Sequence, residues 1–105
     1  GLIRLPQIEP TVGSHNGHLF YIITNTPETR ARLIQYLKDS GVYAIFHYIP
    51  LHSSPAGIRF GKTGSQLSHT EDLSERLIRL PLYYEMTNTD VEMVVALIEK
   101  YFRTR

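Results

Sequence analysis

Strand-forming and helix-forming segments alternate along this chain of 105 residues, which predicts an α/β fold, a small sheet with helices packed on it. Three observations carry that prediction. A run rich in aromatic and β-branched residues at 18–24 leads into a capped helical pattern that stops at Gly41. A second β-rich run, 42–46, follows at once and completes a compact β-α-β unit. After Thr87, apolar residues recur at helical spacing as far as Phe102.

Residues 1–16 read as an extended lead-in arm that ends in a turn, with Pro6, Pro10 and then Gly13-Ser14-His15-Asn16-Gly17. Leu2, Ile3, Leu5 and Ile8 are too apolar for a free linker, so the arm should lie against something, yet it has no evident partner within the chain. Residues 17–105 form the domain proper. The opening glycine, with no methionine, fits a processed chain or a piece of a longer one.

In the first strand Phe20 and Ile22 project to one side and Leu19, Tyr21 and Ile23 to the other, so both faces should be covered. Thr26 caps the first helix, Pro27 suits its first position and Glu28 favours its positive end. Leu33, Ile34 and Leu37 form its apolar stripe, and Gly41 is its C′ stop. The second strand runs out into Phe46-His47-Tyr48-Ile49-Pro50-Leu51-His52-Ser53-Ser54-Pro55, a polar, non-helical loop in which Ile49 and Ser54, each preceding proline, should be extended.

A connection rich in glycine and serine, 57–68, follows. Ser68-His69-Thr70-Glu71 has the form of a capping box and opens a short helix bearing Leu73 and Leu77. Residues 78–82 make a third strand whose Pro81 argues for a sheet edge. Thr87-Asn88-Thr89-Asp90 is a second capping box, and Val91, Val94, Val95, Ile98 and Phe102 face inward from the last helix.

The composition restricts function. A hydrophobic share of 42%, a charged share of 20% and a net charge of +1 suit a globular domain and give no reason to expect nucleic acid. The absence of cysteine excludes disulfides, thiolate metal sites and cysteine nucleophiles. No apolar run approaches the roughly 20 residues that span a bilayer, and nothing in these residues reads as a signal peptide.

His47 and His52 flank a proline-containing loop rather than one helix face, and no third ligand stands out, so no metal is expected. Ser53, Ser54, Ser65 and Ser68 lack the strand-turn-helix elbow of a G-x-S-x-G nucleophile. Gly57 and Gly61 before Lys62-Thr63 are one residue too close for a phosphate loop. Met86 and Met93 read as core fillers, and the tyrosines as packing residues, except Tyr48 between the two histidines. From its residues alone the chain is a domain with a histidine- and tyrosine-bearing loop and no complete active site.

Three segments carry a resemblance. Gly17-His18-Leu19-Phe20-Tyr21-Ile22, then Gly41-Val42-Tyr43-Ala44-Ile45-Phe46-His47-Tyr48-Ile49-Pro50-Leu51-His52, then Glu75-Arg76-Leu77-Ile78-Arg79-Leu80-Pro81-Leu82-Tyr83 resemble the C-terminal region of the DegT-type sugar-nucleotide aminotransferases in order and spacing. The resemblance covers nearly the whole chain. It implies the small C-terminal domain of the aspartate-aminotransferase fold (pyridoxal-phosphate fold type I), with a mostly antiparallel sheet. The activity it implies is amino transfer from glutamate to a 4-keto sugar nucleotide, in a cytoplasmic homodimer serving surface polysaccharide synthesis. Pyridoxal phosphate and its Schiff-base lysine would lie in a large domain absent from this chain. Lys38, Lys62 and Lys100 match no catalytic motif, so the chain alone should be inactive and should not hold the cofactor.

His52 matches the end of the family's H-Y-x-P-x-H segment, and His47 and Tyr48 begin it. The resemblance makes His52 the first candidate for binding the substrate sugar or its phosphates and Tyr48 the second, with His47 binding or orienting. Two other classes stay open on the residues alone: a stand-alone small-ligand-binding sandwich, and an interaction domain using the apolar arm and exposed tyrosines.

Overall fold

A computed structural model describes residues 1–105. In order, the elements are β1 (Ile3–Arg4), β2 (Phe20–Thr24), α1 (Pro27–Asp39), β3 (Ile45–Phe46), a 3-10 turn (Leu51–Ser53), α2 (Pro55–Phe60), α3 (Ser68–Arg76), β4 (Leu77–Leu80) and α4 (Asn88–Arg103).

Both ends of α1 and the start of α4 follow the local chemistry that the sequence signals. Thr26 is extended and its hydroxyl accepts from Thr29 N–H at 3.1 Å, with Pro27 opening α1. A backbone hydrogen bond, then one from Thr26, holds the Glu28 carboxyl below its ordinary range. At the far end Gly41, at φ +81, takes the left-handed conformation. Gly41 N–H reaches Lys38 O at 3.0 Å and Val42 N–H reaches Leu37 O at 2.8 Å, the paired bonds of a Schellman stop. Its hydrophobic partners, Val42 and Leu37, are both buried in the core. For α4 the capping box at Thr87 and Asp90 forms reciprocally. Hydrogen bonds from Thr87 hold the Asp90 carboxyl below its usual range.

The four strands lie in the order β1-β2-β4-β3, each antiparallel to its neighbours. Since β2 and β3 both oppose β4, they are parallel to each other, and β2-α1-β3 is a β-α-β unit split by β4. This corrects the edge position expected from Pro81. The ladder ends at the Phe20–Leu80 pair, so Pro81 sits just beyond it, where no N–H is needed. The second strand is also shorter than expected, because Val42 N–H is committed to the helix stop.

Ile22 and Ile78 pair across the sheet and meet Leu33 and Leu37 of α1 and Val94, Ile98 and Tyr101 of α4 in one core. Tyr36 packs on Tyr101 with ring centroids 5.4 Å apart. Ile22 and Ile23 are both buried, so both faces of β2 are covered at that end. Val91 and Val95, expected inside, are half exposed, as is Met93, and Tyr101 takes the inward position instead. Tyr43, Tyr83 and Tyr84 are likewise exposed rather than packed. Of the lead-in arm, only Ile3–Arg4 finds a partner within the chain: Ile3 pairs with Thr24 and packs against the core, while Leu2, Leu5 and Ile8 remain exposed.

Thr24 is fully buried and ties two elements together. Its hydroxyl lies 3.0 Å from both Thr26 O and Arg76 O, and Arg76 Nη1 donates to Thr24 O at 2.9 Å. Arg76 also pairs with Asp72, which lowers the carboxyl and raises the guanidinium. The end of β2 is thereby fastened to the junction of α3 and β4.

Candidate functional site

Between β3 and α3 the chain makes an excursion over residues 47–67, built on two short turns. Ser53 and Ser54 N–H groups both reach Pro50 O at 3.1 Å, closing the 3-10 turn. Ser54 is extended, as a residue before proline should be, and its hydroxyl accepts from Gly57 N–H at 3.0 Å and donates to Leu51 O at 2.7 Å. A helix therefore starts at Pro55, where a loop was expected; Ser54-Pro55 repeats the Thr26-Pro27 signal. Gly57 permits the fold-back, since a Cβ there would sit 1.6 Å from Leu51 O.

Three hollows open along this excursion. His47 and Tyr48, with ring centroids 4.9 Å apart in edge contact, border the first two. The first, about 250 Å³, is also lined by Arg30, Phe46, Ser53 and Glu71, and the second, about 600 Å³, by Leu73, Ser74 and Leu77. His47 Nδ1 is enclosed and has no partner. The Tyr48 side chain stands out, with the residue 75% exposed.

His52 borders the third hollow, about 400 Å³, with Thr63, Ser65, Gln66, Leu67, Ser68 and Glu71. The structure thus joins His47 to Tyr48 but separates His52 from them, and Glu71 is the side chain common to the first and third hollows. His52 Nε2 lies 2.7 Å from Glu71 Oε1, although the angle falls short of a hydrogen bond and the nitrogen is otherwise enclosed. At that separation the two groups are in polar contact.

Two residues here carried no sequence signal for function. Glu71 looked like part of a capping box, but Leu67 occupies the N-cap of α3, no side chain caps it, and Glu71 turns to His52 instead. Arg30 lies on α1, and its Nη1 donates to Ser74 O at 2.9 Å while its guanidinium stands 6.0 Å from the centre of the Phe46 ring. It brings a fixed cation to the His47 hollow.

The donor set does not suit pyridoxal phosphate on its own. Lys38, Lys62 and Lys100 are exposed and none borders a histidine hollow, so no amine is placed for an imine. No group of three His, Cys, Asp or Glu side chains is gathered for a metal ion either.

Residues 2–99 match the DegT/DnrJ/EryC1/StrS aminotransferase family, and the chain belongs to it. It is 29% identical over 98 residues to the dTDP-4-dehydro-2,3,6-trideoxy-D-glucose 4-aminotransferase of Saccharopolyspora spinosa, covering 93% of this chain and 24% of that protein. Among solved structures it resembles the aminotransferase TlmJ from Streptoalloteichus hindustanus, with a TM-score of 0.83, 27% identity and coverage of 98% of this chain and 27% of that one. NtdA from Bacillus subtilis, solved with bound cofactor PMP, is 30% identical with a TM-score of 0.72, over 94% of this chain and 23% of that one. The chain thus spans about a quarter of the length of these relatives. It has the α/β architecture, with a small antiparallel sheet, found in these aminotransferases.

Proposed function

We propose that this chain is the small C-terminal domain, with residues 1–16 as its lead-in arm, of a pyridoxal-phosphate enzyme that transfers an amino group from glutamate to a 4-keto-6-deoxy sugar nucleotide. The observation that carries this reading is the family match over residues 2–99, which runs through the histidine segment. The segments around Arg4 to Tyr21 and His47 to Gly57 look especially like dTDP-4-amino-4,6-dideoxygalactose transaminase. The dTDP-sugar named for the Saccharopolyspora relative supports that nucleotide. The product would feed surface polysaccharide such as enterobacterial common antigen or lipopolysaccharide, made by a cytoplasmic homodimer.

In this reading the excursion is one wall of the site. His52 binds the sugar or its phosphates, Tyr48 adds a second polar contact, and His47 binds or orients. The cofactor and its lysine are supplied by the large domain. The test is an amino-transfer assay with dTDP-4-keto-6-deoxyglucose and glutamate. The complete enzyme should aminate the sugar, and the 105-residue chain alone should give no turnover and no aldimine absorbance. A complete enzyme inert toward 4-keto sugar nucleotides, or an active lone chain, overturns the proposal.

A further inference from the structure

We propose that Glu71 is a positioning residue: it holds His52 as the form protonated on Nε2, leaving Nδ1 to accept a hydrogen bond from a sugar hydroxyl rather than to meet a phosphate. The inference rests on the role given to His52 above and adds its partner and the ligand group it takes.

A carboxylate only accepts, so an imidazole nitrogen 2.7 Å from Glu71 Oε1 must be the one that carries hydrogen. In a neutral ring the other nitrogen is then an acceptor, and the hydrogen bond at one nitrogen decides the state of its partner. Nδ1 has no hydrogen bond within the chain and is not fully enclosed, which leaves it free to take an outside partner. Both ends of the contact are anchored. His52 sits in the 3-10 turn closed on Pro50 O, and Glu71 in the first turn of α3, which Arg30 fastens to α1 through Ser74 O.

The surrounding hollow points to the ligand. Its lining offers the hydroxyls of Thr63, Ser65 and Ser68 and the amide of Gln66, none of them bonded within the chain, and holds no lysine or arginine. A phosphate would find no cation there and would face the Glu71 charge; a hydroxylated sugar ring finds donors and acceptors throughout.

The ring state is read without any ligand, by two-bond nitrogen–proton correlations in the 105-residue chain labelled with 15N-histidine, using His52→Asn to assign the signal. The wild type should show His52 protonated on Nε2 at a pH where the ring is neutral, and Glu71→Ala should remove that preference. A wild-type ring protonated on Nδ1, or an unchanged ring in both Glu71→Ala and Glu71→Gln, overturns the inference. In the complete enzyme, Glu71→Ala should raise KM for the sugar nucleotide about tenfold, the scale of one hydrogen bond, with kcat within about twofold. An unchanged KM alongside an altered ring overturns the hydroxyl contact. His52→Ala with unchanged KM would instead overturn the functional reading of His52, and the ring result would still stand.

Discussion

On the sheet, buried polar groups are matched and one core is closed: Thr24 is shared between two carbonyls, the ends of α1 and α4 are capped, and Ile22, Ile78, Leu33, Leu37, Val94 and Ile98 pack on one another, with Val91, Met93 and Val95 left half exposed on the outer side of α4. Across residues 47–67 the pattern reverses. Ile49, Leu51, Ile58 and Phe60 lie exposed, His47 Nδ1 is enclosed without a partner, and the serine and threonine hydroxyls of the third hollow are uncommitted. The first region is held by its own contacts, whereas the second leaves polar and apolar groups without partners in the chain. A scaffold that completes itself beside a loop that does not is the arrangement expected where a rigid fold delivers binding groups.

The largest break in the comparison should come from Leu37→Ala, which removes a fully buried side chain that also packs behind the Schellman stop. Thermal and urea unfolding should show a loss of about 3 kcal/mol, with cap, sheet and core failing together. Next, Thr24→Val keeps the shape but strips the hydroxyl from Thr26 O and Arg76 O; a loss of about 1–3 kcal/mol is expected in the same melts. A loss under about 0.3 kcal/mol would show that the tie between β2 and α3 is not structural.

Gly57→Ala sharpens the contrast from the other side. The added Cβ meets Leu51 O, so the turn must open, yet the core has no stake in it. Hydrogen exchange should speed up at residues 51–60 while amides of β2 and β4 keep their protection. A cooperative loss across both regions would merge what is here separated.

The smallest effect concerns acid. The folded-state pKa of Asp90 lies below its ordinary value, so its contribution is present above the ordinary carboxylate range and is lost as pH falls through the lowered value. Stability against pH should therefore fall less steeply on the acid side for Asp90→Asn than for wild type, while near neutrality the variant is the weaker of the two.

The features legible in the sequence are those decided within one turn of chain. Thr26-Pro27, the Gly41 stop and the Thr87 box all form as their residues dictate. Sheet order was not legible, because Pro81 marks the end of a ladder as readily as the edge of a sheet, and only the long-range pairing of Phe20 with Leu80 separates the two. Helix α2 was hidden because Gly57 reads as a loop residue; its reason is a close approach to Leu51. The histidine segment was legible as a candidate site only through its resemblance to the family. Its partner Glu71 was not, because local spacing offered a capping box and the contact with His52 depends on how α3 docks.

The division between self-sufficient scaffold and binding loop is tested most directly by His52→Ala in the complete enzyme, with turnover and melting temperature measured on the same preparation. The account predicts that kcat/KM for the sugar nucleotide falls about tenfold or more, the scale of one lost hydrogen bond, while the melting temperature stays within about 2 °C. Parallel losses of turnover and stability would contradict it and return His52 to the scaffold.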